Sequence, residues 1–494
     1  MFEKITPEQA GISSKVITGF INKLEKRNIS MHSLLFMKGN NIFAEAYWKP
    51  FTKDTCHRQY SQTKSFVSIA IGLLLEEGKL ALDDKIIDYF PEKIDGEIPK
   101  YLDKQTIREM LMMKTVGQPV KWLNVGTTDR THLYLNYKRE TRPSGSMWEY
   151  DSAGSQVLSS LVEKLAKKPL LDYLKEKLFN EMGTFQTATV LKTPNGDSWG
   201  DSAMLCTLRD MASFGRLVMN YGVWNGKRLM DEKYLKEATS KLVDNSNAFY
   251  YSPCYQGYGY QIWRVSGGGF AFVGMGDQLT VCYPDKNIIF ACNCDNQGNV
   301  QARDFILSSV QEIVENVSDK ALENNVTANA ELYEKTKGLD LRSAKGFEDS
   351  ALREKINGVE YECEENMSGL TKFSLTFKDK KSGEFRYTNA QGEKVIPFGV
   401  NHNVFGKFPQ LGYSNEIGGQ KTTDGFMYDD AVSFAWVDDS QAILFVQIID
   451  KYLGNLDVKF SFKGESAVIL LFPNAECFLT EYAGIVVGKQ VKKD

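Results

Sequence analysis

The stretch Arg58–Leu80, RQYSQTKSFVSIAIGLLLEEGKL, sets a serine and a lysine three residues apart at the head of an apolar run. An ammonium carried into a core is costly unless it is paired or neutral, so Lys64 needs a reason to be there. On a helix, positions i and i+3 share a face, which puts Ser61 and Lys64 side by side. Ser61 falls at the helix amino end, where unpaired N–H groups and the helix dipole favour developing negative charge. A serine hydroxyl is a weak nucleophile until a neighbouring base takes its proton. An amine whose proton affinity is lowered by desolvation can be that base. The plain alternative makes Ser61 an N-cap and Lys64 a snorkelling surface lysine, and spacing alone favours it. Ser61–Lys64 is the one Ser-x-x-Lys in the chain. No Gly-x-Ser-x-Gly nucleophile elbow of the α/β-hydrolase type is expected in the chain, so a serine hydrolase here requires a base other than histidine.

Around this segment the pattern is mixed. Residues 33–48, SLLFMKGNNIFAEAYW, read as two strands joined at Gly39-Asn40-Asn41. Residues 84–240 read as mainly helical, with amphipathic runs such as SQVLSSLVEKLAKK. Strands return in YGYQIWRV, GFAFVGMG, QLTVCYP and NIIFACNCD, and ARDFILSSVQEIVENV closes the region as a helix. Strands interrupted by a helical block predict one antiparallel sheet assembled from both ends of the region, with helices packed on it. Residues 318–340 are polar and read as a solvated helix or linker. Beyond them KFSLTFKD, AILFVQIID, LDVKFSFKG and SAVILLF alternate like the strands of a barrel or sandwich. The expected organisation is residues 1–317, a linker at 318–340, and a β-rich domain over 341–494.

Composition narrows the chemistry. With 59 basic and 63 acidic residues among 494, the net charge of −4 offers no footprint for nucleic acid. No apolar stretch is long enough to span a bilayer, and the N-terminus lacks a secretory pattern, so no membrane partner and a cytoplasmic location are expected. Eight scattered cysteines and four isolated histidines point to a reducing compartment, with no metal and no cofactor. The expected partner is a small-molecule substrate, with self-association left open.

Two further stretches supply polar groups. In RPSGSMWEYDSAGS, residues 142–155, a turn leads to Tyr150, and a helix begins near Ser152. A phenol beside an amine can relay protons, and the Ser152 hydroxyl can support it; a packed aromatic and an N-cap are the plain alternatives. In GFAFVGMG, Gly274 and Gly276 within a strand pattern suggest a close backbone approach or a bulge. A strand N–H there, with that of Ser61, can form an oxyanion hole. Trp122, Trp148 and Tyr258 are candidate walls of an apolar cleft.

Together these motifs resemble the β-lactamase-related serine hydrolases, the family sharing its fold with penicillin-binding proteins and AmpC-type β-lactamases. YSQTKSFVSIAIGLLLEEGKLALDDKIIDYFPE is similar to the first motif block. RPSGSMWEYDSAGS is similar to the second, in the Tyr-x-Ser form of the 6-aminohexanoate-dimer hydrolase branch. The likeness runs over roughly residues 5–315. It implies an α+β, β-lactamase/transpeptidase-like fold, an antiparallel sheet flanked by helices with a helical subdomain, followed by the C-terminal all-β domain. It also implies Ser61 as acylated nucleophile, Lys64 as general base, Tyr150 as proton donor to the leaving group, and the N–H groups of Ser61 and Met275 as oxyanion hole. Ser152 and Gly274 take supporting places. Where the family carries Lys-Thr-Gly or His-x-Gly, this chain reads Phe272-Val273-Gly274. That loss disfavours β-lactams and D-Ala-D-Ala peptides and favours an ester or a small amide. A β-lactamase, a D-amino-acid peptidase and a catalytically silent ligand-binding member are the alternatives. For the β-rich region, capping of the catalytic domain or self-association is expected, with residues 401–421 a candidate cover for the site.

Overall fold

The computed structural model describes residues 2–117, 128–246, 250–417, 425–476 and 478–491. Trp122 and residues 418–421 of the candidate cover therefore lie outside the described residues. The chain divides into two compact units, Met1–Asp340 with Glu416–Gly418, and Leu341–Asn415 with Gly419–Asp494.

The first unit is built on a seven-stranded sheet. Its strands in chain order are β1 (Glu3–Lys4), β2 (Met31–Lys38), β3 (Asn41–Tyr47), β4 (Trp263–Arg264), β5 (Phe270–Gly274), β6 (Gln278–Tyr283) and β7 (Ile288–Cys294). They lie in the order β1-β3-β2-β7-β6-β5-β4, so the two ends of the unit meet where β2 pairs antiparallel with β7. Every pairing is antiparallel except that of β1 with β3. Only Trp263 and Arg264 of the stretch YGYQIWRV are strand. The rest is bent: Gln261 has φ 55°, and Gly259 N–H turns back to the Ile262 carbonyl at 2.8 Å.

Both faces of the sheet are covered, which is why β6 and β7 are buried at every residue and β2 at all but its last instead of alternating. On one face lie α2 (Thr63–Glu76), α3 (Ser152–Ala166) and α4 (Leu208–Met219), sharing a core with Leu35, Phe272 and Ala291. On the other lie α1 (Ser14–Lys26) and α5 (Ala302–Glu315), packed on Leu34, Phe36 and Phe290. Each residue of α2 from Thr63 to Leu74 is buried, so this helix is enclosed on all sides. Phe66 on α2 stacks on Phe214 of α4 at 4.0 Å between ring centroids and meets Phe179 and Phe185 edge-on. The segment expected as a linker holds α6 (Val326–Lys337), which buries Ala328 and Leu332, the latter within the α1/α5 core.

In the second unit the strands are β8 (Glu360–Cys363), β9 (Lys372–Phe377), β10 (Ser382–Asn389), β11 (Gly392–Val400), β12 (Val404–Lys407), β13 (Asp429–Trp436), β14 (Gln441–Ile449), β15 (Leu453–Lys463), β16 (Ser466–Ala475) and β17 (Gly484–Gln490). Nine of them close a barrel in the order β11-β10-β9-β8-β17-β16-β15-β14-β13. Closure comes from a short parallel pairing, Gly399 opposite Ser433 and Val400 opposite Phe434. β12 pairs antiparallel with β13 next to that closure, Val404 opposite Val432 and Lys407 opposite Asp429. Of the two forms the sequence left open, a barrel is the one observed. It is packed with aromatic rings, among them Phe377, Phe398, Phe434 and Trp436 in mutual contact.

Replacing Phe66 by Ala removes a fully buried ring from the α2/α4 interface and is expected to cost about 3–5 kcal/mol. Hydrogen exchange of the α2 amides measures this as a lowered opening free energy. Phe472→Ala, a half-exposed side chain of the barrel, should leave those amides unchanged.

Candidate active site

Ser61 sits in a single 3-10 turn, Tyr60–Gln62, that leads directly into α2. The turn is pinned from both sides of the serine. Gln59 N–H donates to the Met204 carbonyl at 2.8 Å, and Met204 N–H donates to Thr63 Oγ1 at 3.0 Å. Before it, His57–Arg58 pairs antiparallel with Leu205–Cys206. Tyr60, immediately before the serine, has φ 46°, a left-handed conformation held by its surroundings: its ring is buried and lies 4.1 Å beneath the Arg58 guanidinium. Ser61 is not an N-cap, for the residue at that position of α2 is Gln62 and it makes no capping bond.

Lys64 is inside, not snorkelling. Its side chain is 2% exposed, and Nζ donates to Ser61 Oγ at 3.0 Å and to the Asp201 carbonyl at 2.6 Å. The Asp201 carboxylate, also buried, stands 3.9 Å from the same nitrogen. The Tyr150 ring centre lies 5.1 Å from Nζ. Ser61, Lys64 and Tyr150, ninety residues apart in sequence, thus share one locus. Asp201 joins them without having been anticipated, since nothing in TPNGDSWGDS distinguishes its carboxylate from a loop residue.

Tyr150 ends the loop before α3 and stacks on Trp263 at 5.6 Å. Trp263 in turn contacts Trp148, Tyr255 and Tyr258, so the two expected cleft aromatics inside the described residues gather around a tryptophan that was not singled out. Ser152 is the first residue of α3, but the capping belongs to its neighbour: Asp151 Oδ1 accepts from Gly154 N–H at 2.9 Å. Burial pushes the Asp151 carboxyl up from its ordinary value.

Gly274, the last residue of β5, lies against the serine turn. A Cβ there would fall 2.3 Å from the Gln59 carbonyl oxygen, so only glycine lets the two backbones approach this closely. Met275 follows it directly. Phe272 points into the core, where its ring packs on Phe214 at 4.9 Å, and offers nothing polar to a ligand.

A second serine needs correction. Gly196-Asp197-Ser198-Trp199-Gly200 does spell Gly-x-Ser-x-Gly, contrary to the expectation that no elbow motif exists. The segment is a loop with no helix following it, and the Ser198 N–H donates to the Glu163 carboxylate. It therefore lacks the strand–turn–helix geometry that makes such a serine a nucleophile.

With this arrangement in view, a family model described as Beta-lactamase matches residues 20–311. The chain belongs to the beta-lactamase family. A 6-aminohexanoate-dimer hydrolase of Paenarthrobacter ureafaciens is 22% identical over 248 residues, covering 47% of this chain and 63% of the relative. An uncharacterised protein of Alkalihalophilus pseudofirmus is 24% identical over 240 residues, covering 43% of this chain and 66% of the relative. The chain thus spans just under two thirds of the length of the curated relatives it matches. Among solved structures, the octameric penicillin-binding protein homologue from Pyrococcus abyssi superposes with a TM-score of 0.51 at 14% identity, covering 96% of this chain and 99% of that one. The β-lactamase/transpeptidase-like fold is shared. Among the described residues no helix is long and apolar enough to cross a membrane.

Behind the serine turn two buried histidines meet, His32 Nδ1 lying 2.8 Å from His57 Nε2. With His57 Nδ1–H donating to the Arg58 carbonyl, its Nε2 is left as acceptor and His32 supplies the proton, so both rings are neutral. Burial holds His57 down to about 4, and His32 well below its ordinary value. Because the folded values are depressed, the unfolded chain binds the extra protons. Stability is complete above about pH 6.5 and falls as the pH drops toward 4, by roughly 3 kcal/mol from His57 alone. Denaturant titrations at pH 7 and pH 4.5 should show this loss. His57→Gln should flatten it; an unchanged pH dependence in the variant would contradict the assignment.

Proposed function

We propose that the protein is a serine hydrolase that cleaves an ester or a small amide through an acyl-enzyme on Ser61. The observation that supports this most is the 3.0 Å hydrogen bond between the buried Lys64 amine and the Ser61 hydroxyl, with the Tyr150 ring 5.1 Å from the amine. Membership of a hydrolase family agrees with it.

In the proposed cycle, Ser61 Oγ attacks the substrate carbonyl and its proton passes to Lys64 Nζ. The Asp201 carbonyl at 2.6 Å and its carboxylate at 3.9 Å then face the ammonium that forms, which offsets part of its desolvation. The oxyanion is received by the N–H groups of Ser61 and Met275, on the two backbones that Gly274 allows to come together. Tyr150 passes a proton to the leaving group as its bond to the carbonyl carbon breaks, and takes a proton back from the Lys64 ammonium. Water, activated by the same network, then releases the acid. Ser152 and Gly274 support this arrangement, the second by its lack of a side chain.

The family's alternatives are weighed by Phe272 and Val273. Both are buried, Phe272 completely, and neither carries the cation or hydroxyl that would hold a substrate carboxylate. That supports reading simple esters and amides ahead of β-lactams and carboxylate-terminated peptides. The relative of Paenarthrobacter ureafaciens is named for hydrolysis of a 6-aminohexanoate dimer, and a small amide is the corresponding reading here.

A fluorophosphonate probe should label the wild type at Ser61, as read by peptide mass spectrometry. Ser61→Ala should lose the adduct and lower p-nitrophenyl acetate turnover by about 10³-fold or more. An unlabelled wild type, or a variant with undiminished turnover, would assign the fold a non-catalytic binding role.

A further inference from the structure

Met275, the residue after Gly274, also lines a pocket of about 300 Å³ that none of the roles above uses. One side is the turn after β5, Met275–Asp277; the other is the start of α5 with the segment around Ser252–Tyr255. Tyr255 in this wall touches Trp263, which stacks on Tyr150, so an apolar strip joins the pocket to the catalytic locus.

The charges in the pocket are unbalanced. Its charged lining residues are Asp277, Arg303 and Asp304, one cation against two carboxylates. The cation is already engaged, Arg303 Nε donating to Asp277 Oδ1 at 3.1 Å. Asp277 is 4% exposed, and among the described residues its second oxygen makes no hydrogen bond. Asp304 accepts from Ser252 Oγ at 2.6 Å and from the Tyr250 hydroxyl. A carboxylate has about four acceptor positions, so two neutral donors leave capacity for a further one. The Cys254 thiol, pushed up to about 12 by burial, adds no charge of its own near neutral pH.

A carboxylate entering this space would meet two like charges and a guanidinium already paired. A protonated amine would meet the acceptor capacity left on Asp304, with the buried Asp277 carboxylate in the lining of the same pocket. We propose that the pocket receives one arm of the substrate and selects an arm ending in an ammonium group, with Asp304 as the specificity-determining residue and Asp277 assisting. This rests on the serine-hydrolase reading, because it takes Met275 to adjoin the reacting carbonyl.

The test uses the full chain and matched esters whose far end is a methyl, an ammonium or a carboxylate, placed on the acyl side in one set and on the alcohol side in the other. In one of the sets the ammonium ester should exceed its methyl counterpart in kcat/KM by about tenfold or more, chiefly through KM, and the carboxylate ester should be the poorest. Asp304→Asn should remove that preference, measured as the ratio of ammonium to methyl ester, and Asp304→Glu should keep it. A wild type that prefers the methyl or carboxylate ester in both sets overturns the proposal without reference to any variant. A preference that survives Asp304→Asn overturns the role of Asp304. Ser61→Ala is assayed in parallel: turnover that does not depend on Ser61 would sink the hydrolase reading itself, whereas Ser61-dependent turnover without ammonium preference would sink only this inference.

Discussion

The amine of Lys64 is the constraint on which the rest of the first unit depends. An amine that must carry a charge during a reaction costs several kcal/mol to bury unless good partners surround it, and this one belongs to a helix that is buried all round from Thr63 to Leu74. Its partners are few and specific: a serine hydroxyl one turn back, a backbone carbonyl from Asp201, and that residue's carboxylate. The two groups of Asp201 come from a distant part of the chain. The strand pairing of His57–Arg58 with Leu205–Cys206 and the bond from Gln59 to Met204 bring those parts together. Strain at Tyr60 is the local cost of presenting the serine toward the amine.

The sheet supplies the other half of the frame. Because β5 lies against the serine turn with only a glycine between backbones, the Met275 N–H and the serine belong to one rigid edge. Phe272, two residues earlier on the same strand, is turned into the core by the alternation of side chains and locks that edge on Phe214. Where the resemblance implies a ligand contact, this chain has a buried ring.

Much of this was legible in the sequence because it depends on local pattern. The Ser-x-x-Lys, the enclosed helix, the return to strands after Gly257 and the alternating C-terminal segments each follow from periodicity or spacing. Their grouping around one site came from the family likeness, not from periodicity. Other features were missed. Asp201 lies in a loop, and loops carry no period by which a functional carboxylate can be told from a solvated one. Trp263 was read within a strand, yet most of that stretch is a bend set by Gln261 and by hydrogen bonds at Gly259, which residue preferences do not reveal. The Gly-x-Ser-x-Gly at Gly196–Gly200 was passed over, and only its surroundings show why it is inert. Residues 318–340 were read as polar, but two buried side chains suffice to dock their helix.

The account turns on proton transfer from Ser61 to Lys64 during acylation. Its most direct measurement is the pre-steady-state burst of p-nitrophenol from an activated ester, in the wild type and in Lys64→Ala. The account predicts a burst of about one equivalent per chain in the wild type, with its rate lowered by about 10²–10⁴-fold in the variant. A burst of unchanged rate without the amine would contradict it.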